Sequence, residues 1–469
     1  MSNTPPRSNS LWIALIPAIF LIVSGTASAQ SEPRFDLMIR GGHVIDPAND
    51  RSGVFDVAIK AGKIAAVAPN LDPAMAVKSV DVSGFYVTPG LIDLHTHVYA
   101  GTGERRSYAG DYSVYPDGFT FRAGVTTIVD AGCSGWRNFE DFKNRIIDRS
   151  KTRIFALLNI VGHGMRGVLF EQDVSDMDAK ATADMAIKHK GLIVGIKTAH
   201  FLAPQFTAVD RAIEAATLAG IPVMVDFGRV APEKSLAELL TSKLRPGDIY
   251  THVFSGLRNE IDSAGHANPA LLEGRKRGVL FDLGHGNGSF FWRVAVPVAA
   301  EGFLPDTIST DLHAGNINSG VKDLLTVVNK IMALGVPLED LIARATWNPA
   351  RAIGQKQLGN LSVGSTADLA VLQLEKGNFG MMDSAGARLR SDRKLSCEMT
   401  IRDGLIAYEL NGLSRPERTS LPKTYRRSGQ PSWDSAWSYL PNPNELPLPA
   451  EPTTPIIPAT DHATKGDRP

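Results

Sequence analysis

Three observations predict an α/β protein, a (β/α)8 TIM-type barrel with a small β-sandwich formed from N- and C-terminal segments. Eight apolar, β-branched runs recur through the middle of the chain with helix-like segments between them, the rhythm of a parallel sheet buried on both faces. Short alternating runs broken by Gly, Asn, Asp and Pro lie on either side, from Phe35 to about Tyr86 and again in "GSTADLAVLQLE" and "KLSCEMTIRDGLIAYELNG". The 469 residues are 43% hydrophobic and 21% charged, enough for one large domain with an accessory one.

In chain order, residues 1–29 read as a signal peptide: Arg7, then the apolar run Leu11–Val23, then Ala27-Ser28-Ala29 before Gln30. The run is shorter than the ~20 apolar residues of a spanning helix and contains Pro17. The expected product is exported, periplasmic or secreted, and free of the membrane after cleavage. Residues 30–87 and 356–413 are expected to form the sandwich, and 88–355 the barrel. A doubly wound sheet is the alternative, but no Gly-rich phosphate loop follows the first strand. From 414 to 469 Pro density without apolar periodicity predicts an extended or disordered tail. Its Trp433, Trp437 and Tyr439 are suited to docking on the barrel or on a second copy in a homo-oligomer. Lys+Arg and Asp+Glu are both 49; without a basic excess, no nucleic-acid partner is expected. Cys133 and Cys397 read as separate small core residues rather than a disulfide framework.

The eight runs are "GLIDLHTHV", "TTIVDAG", "RIFALLNIVG", "LIVGIKTA", "PVMVDFG", "DIYTHVF", "GVLFDLGHG" and "DTISTDLH". Polar residues gather at their C-terminal ends, where such barrels carry their chemistry: His95 and His97, His163, Lys197, Asp226, His252, His285, then Asp311 and His313. Burying so many polar groups is costly unless they are paired or bind metal. His95 and His97, spaced i, i+2, share one strand face and can bind one cation. Lys197 either pairs with Asp311 or is carboxylated by CO2 into an anionic bridge between two metals. Asp311 can bind a metal and serve as general base.

"PGLIDLHTH", the strand lysine, "THVF", "STDLH" and "TWNPARAIG…LGNLSVGSTADLAVL" resemble the amidohydrolase superfamily. "GVTTIVDAG", "GHGNGSF" and "GFLPDTISTDLH" resemble its dihydroorotase-like amidohydrolase/deacetylase branch. The likeness spans about Phe35 to Gly412. It implies a hydrolase of small molecules with two divalent ions, zinc foremost and manganese as the alternative, and N6-carboxylated Lys197. His95, His97 and Asp311 would hold one ion, Lys197 bridge, and His252 hold the second. A metal-bound hydroxide would attack an N-acyl or cyclic amide, with Asp311 as general base. An ester or lactone is the runner-up, deamination fits less well, and a non-catalytic scaffold is the rival from another class.

The chain departs from this pattern at Asp226, where the family has His. Asp226 replaces the imidazole as an oxygen ligand, or it supports a shell completed by His200, or the second metal is weak or absent. The first reading predicts that Asp226→His keeps activity but shifts metal preference, because a carboxylate makes the site less positive and favours harder ions. His163, His200, His285, His313 and Arg166 are expected near the substrate. Arg229 is a second candidate carboxylate clamp, with surface salt bridges the alternative for both arginines.

Overall fold

The computed structural model describes residues 1–2, 34–228, 230–421 and 423. The leader, Arg229 and the aromatic residues of the tail lie outside the described residues. The chain first lays down β1 (Phe35–Asp46), β2 (Arg51–Lys60), β3 (Lys63–Ala68), β4 (Ala76–Asp81) and β5 (Tyr86–Pro89). A parallel series follows: β6 (Leu91–Thr96), β7 (Val125–Gly135), β8 (Arg153–Asn159), β9 (Ile193–Thr198), β10 (Val223–Val225), β11 (Ile249–Tyr250) and β12 (Leu280–Phe281). The chain closes with β13 (Leu369–Met382), β14 (Arg388–Arg402) and β15 (Leu405–Glu409).

The end strands join in one mixed sheet, ordered β15-β14-β13-β5-β1-β2-β3, with β4 beside β1. A register break between Ile39 and Gly42 divides β1. Before the break it pairs with β4 and beyond it with β5. The sheet thereby wraps a core of Leu37, Ile39, Val57, Leu369, Met399 and Ile401, giving the sandwich domain.

β6 to β12 lie side by side in sequence order. The segment 307–312 supplies the eighth stave: His97 N–H donates to Leu312 O (2.9 Å), Asp311 N–H to His95 O (2.7 Å), and Leu283 N–H to Thr307 O (3.0 Å). β6 shows how the alternation of a strand makes the site. Ile92 and Leu94 enter an apolar cluster with Ala350 and Ile353. On the opposite face Asp93 accepts from Thr310 N (3.0 Å) and Thr310 Oγ1 (2.6 Å). Burial pushes the Asp93 carboxyl up to about 7, against these hydrogen bonds.

Among the contacts that bind the sandwich to the barrel, two lie at opposite ends of it. Arg153 of β8 reaches Asp368 and, at 2.6 Å, Asp403. At the other end of the barrel the β13–β14 hairpin tip meets the segment after β12. Trp292 Nε1–H donates to Met381 O (2.9 Å), Trp292 N–H to Asp383 Oδ2 (3.1 Å) and Ser384 N–H to Phe290 O (3.0 Å). Both cysteines are free and buried. Among the described residues no helix is long and apolar enough to cross a membrane.

Arg153→Met strands the Asp368 carboxylate, which is 3% exposed. The expected loss of stability is about 2–4 kcal/mol, measured by urea unfolding; a loss within error would mean that this ion pair adds nothing to the other contacts between the domains.

Candidate metal centre

His95 and His97 leave the end of β6, His252 lies just past β11, and Asp311 lies on the eighth stave. A ligand atom from each of His95, His252 and Asp311 falls within 4.8 Å of the others. His97 Nε2 adds a contact of 2.8 Å to Asp311 Oδ1. Lys197 Nζ lies 3.1 Å from His95 Nε2 and 3.6 Å from Met224 Sδ.

Hydrogen bonds behind the rings set their orientation. The Thr251 hydroxyl gives its proton to Asp282 Oδ2 (2.7 Å), so Thr251 Oγ1, 3.1 Å from His95 Nδ1, accepts from that nitrogen. His252 Nδ1 donates to Gly284 O at 2.6 Å, and His200 Nδ1 to Glu171 Oε2 at 2.7 Å. For a neutral ring this leaves the lone pair on Nε2. His95 Nε2 then faces Asp311 Oδ1 at 3.5 Å, and His252 Nε2 faces Asp226 Oδ2 at 3.5 Å. Lone pairs set against carboxylates suit a cation between them, and at His95 the Lys197 amine also faces Nε2, at 3.1 Å. Burial, reinforced by the Lys197 charge, lowers His95 to about 3, so a proton does not fill that role near neutrality. The donor set therefore fits a divalent ion, which His95, His252 and Asp311 could hold together, with His97 and Lys197 beside them.

The backbone is strained at the same place. His200 (φ 53°), His252 (φ 68°) and Asp311 (φ 51°) occupy the left-handed region, where such residues persist only if their surroundings enforce it. The glycines flanking His285 serve this arrangement. A Cβ on Gly284 would meet Thr251 Oγ1 at 2.3 Å, and one on Gly286 would meet Asp311 Oδ2 at 2.5 Å.

Lys197 is 1% exposed and forms no ion pair with Asp311, in contrast to one of the two expectations for it. Burial lowers its pKa against the pull of Asp226, Asp311 and Asp282. Burial would raise Asp311, but His95, His97 and His252 outweigh it and hold the carboxyl well below the usual range.

Asp226 has a partner that sequence reasoning missed. Arg258, 7% exposed, donates from Nη2 to Asp226 Oδ1 at 2.6 Å. Asp226 Oδ2 faces His200 Nε2 (3.4 Å) as well as His252 Nε2 (3.5 Å). The carboxylate thus retains one oxygen for the site, and His200 points at the same place. Burial raises Asp226, but Arg258, His252 and His200 together hold it well below its usual value. Arg258 also cancels the charge on which the Asp226→His expectation rested. That variant would leave a buried guanidinium without its carboxylate, so retained activity is no longer expected.

Tyr108, Tyr112, His200, Asp226, His252, Arg258, Asp311 and His313 help line a cavity of about 390 Å³. Tyr108 packs 4.5 Å from the His97 ring and 5.2 Å from that of His313. His313 Nδ1 accepts from Gly315 N at 3.0 Å, leaving Nε2–H on its neutral ring. His200 and His313 are therefore at the cavity, as expected. Three other expected substrate contacts are not among the residues that line this cavity. His285 is enclosed between Lys330 Nζ (2.5 Å) and Gly286 O (2.9 Å) and stacks on Phe290. His163 lies against Phe170, and Arg166 is paired with Glu104 at 2.5 Å. Cys133, expected only to fill space, touches His97 Nδ1 through its sulfur at 3.2 Å.

The amidohydrolase family profile matches residues 293–407. A deacetylase of Brucella anthropi is 33% identical over 346 residues, covering 71% of this chain and 83% of the relative. The crystal structure of an adenine deaminase is similar with a TM-score of 0.72 at 30% identity, over 80% of this chain and 100% of that one. That of a dihydroorotase is similar with a TM-score of 0.68 at 30% identity, over 79% and 98%.

Thr251→Val removes the acceptor that fixes the His95 tautomer. Affinity for a divalent ion is expected to fall about 10–100-fold, measured by competition with a chelating dye. Unchanged affinity would mean that packing alone sets the ring.

Proposed function

Because the chain belongs to the amidohydrolase superfamily, and so is a hydrolase of non-peptide carbon–nitrogen bonds, we propose that it cleaves an N-acyl or cyclic amide at a centre of two divalent ions. The observation that carries this is the pair of imidazole lone pairs, His95 Nε2 and His252 Nε2, each set against a carboxylate at 3.5 Å. Bound zinc, or manganese, supplies Lewis acidity and lowers the pKa of water.

The chain's own residues divide the remaining work. Lys197 is buried beside His95 and Met224 without an ion pair. Addition of CO2 to its amine, with release of one proton, converts it to an anionic carbamate that gives the centre a further oxygen donor. Asp311 Oδ1 faces His97 Nε2 at 2.8 Å, the edge where the two would share an ion, which leaves Oδ2 to accept a proton from water and return it to the leaving nitrogen. His313 Nε2–H and Tyr108 face the cavity and orient the acyl side. An ester or lactone presents the same carbonyl to these groups, so amide and ester pairs belong in one assay. The leader sequence supports export, with cleavage before Gln30.

Elemental analysis of protein purified without chelators should find two divalent ions per chain, falling toward one in Asp226→Ala. One ion in both proteins would remove the lysine bridge from the mechanism. Asp311→Asn should lower kcat for amide hydrolysis by about 10²–10⁴-fold; near-normal turnover would transfer the general-base role elsewhere.

A further inference from the structure

The long segment after His97 builds a second cavity, of about 600 Å³, lined by Arg105, Arg106, Asp111, Tyr112, Ala314 and Gly315. It adjoins the inner cavity across Tyr112 and Gly315, which line both. Ala314 N–H donates to Tyr112 O at 2.7 Å, so this outer wall is tied to the stretch that follows Asp311. A molecule longer than the inner cavity and reacting at Asp311 has room to extend into the outer one.

The charges on this wall are unbalanced. Nearby arginines are committed: Arg166 to Glu104, Arg145 to Asp141 and Arg137 to Asp176. Arg105 and Arg106 form no ion pair among the described residues, and both are exposed on the cavity wall. Asp111 is the one carboxylate on that wall, so two cations face one anion. The loop holding them is closed on itself. Asp111 N–H donates to Glu104 O (3.0 Å), the Thr102 hydroxyl to Ala109 O (2.6 Å), and Glu104 N–H to Thr102 Oγ1 (3.1 Å). At its tip Arg106 has a left-handed backbone, φ 55°, as do His200, His252 and Asp311 around the inner cavity. A non-glycine residue kept in that region marks a position the fold enforces.

We propose that Arg105 and Arg106 form an anion subsite, so that the preferred substrate is an amide bearing a carboxylate or phosphate beyond the scissile bond. The proposal rests on the amide-hydrolase reading. Two guanidinium forks match either anion, and the distance between the cavities selects how far the charge lies from the amide. Asp111 then disfavours an anion placed off the arginines.

The test uses the metal-loaded full chain and N-acetyl ω-amino acids of increasing length, with their uncharged primary amides and the matching N-acetyl aminoalkyl phosphates. At one chain length the charged substrate should exceed its neutral amide in kcat/KM by at least about tenfold, through KM. Whether acid or phosphate is preferred identifies the anion. R105A/R106A should abolish the preference while leaving turnover of the neutral amide unchanged, and R105K/R106K should restore part of it. Equal turnover of charged and neutral substrates, or a preference that survives R105A/R106A, would overturn the subsite. Calorimetric titration of the same compounds into Asp311→Asn reads binding without turnover. Tighter binding of the anion, lost when R105A/R106A is added, supports the subsite even if every amide resists hydrolysis, an outcome that would refute the amide reading instead. Equal binding overturns it.

Discussion

One buried carboxylate holds the candidate metal centre in register. Asp282, at the end of β12, accepts hydrogen bonds from Thr251 (2.7 Å), Thr307 (2.6 Å) and Ser309 (2.7 Å), and lies 3.6 Å from His95 Nδ1. It therefore touches the stave before it, the stave after it and the imidazole that leaves β6. Burial works against its charge, but His95 and the hydroxyls overcome that and lower its pKa. Without this hub Thr251 would lose the acceptor for its proton, and with it the reason to accept from His95. The last staves would lose these side-chain ties and keep only backbone bonds such as Leu283 N–H to Thr307 O.

The centre built on that hub has two unlike halves. His95, His97, Lys197 and Asp311 form a side closed by the barrel wall, where the anionic component is Asp311. The other half groups His252, His200 and Asp226 against Arg258, whose guanidinium is itself buried. A carboxylate stands where the family pattern has an imidazole, and an arginine accompanies it. The substitution is thus one member of an ion pair, and its meaning for metal preference depends on both residues together. Backbone strain at His200, His252 and Asp311 shows how closely the surrounding packing specifies these positions.

Much of this was legible before any coordinates, and the reasons differ by residue. The staves were readable because continuous apolar runs report burial on two faces, even where β11 and β12 are only two residues long. His95 and His97 were readable because a spacing of two fixes a common face. Arg258 was not, since it sits in a loop without periodicity and only the closed barrel brings it to Asp226. Glu171 and Tyr108 escaped for the same reason. His285 was read as a substrate contact because its flanking glycines resemble a ligand approach. They instead make room for Thr251 and Asp311, while Lys330, on the helix Leu324–Met332, covers the imidazole.

The hairpin that crosses from the sandwich to the mouth of the barrel gives this architecture an order in time. Every metal-binding candidate lies at or before Asp311, yet the segment holding Phe290 and Trp292, next to cavity-lining Asn287 and Ser289, is pinned by residues 381–384. During synthesis from the N-terminus, the ligands would all exist before the strand pair that fastens their rim. The site is therefore finished by one of the last parts of the fold to be made, and a nascent barrel lacking that hairpin would hold its chemistry in an unsecured mouth.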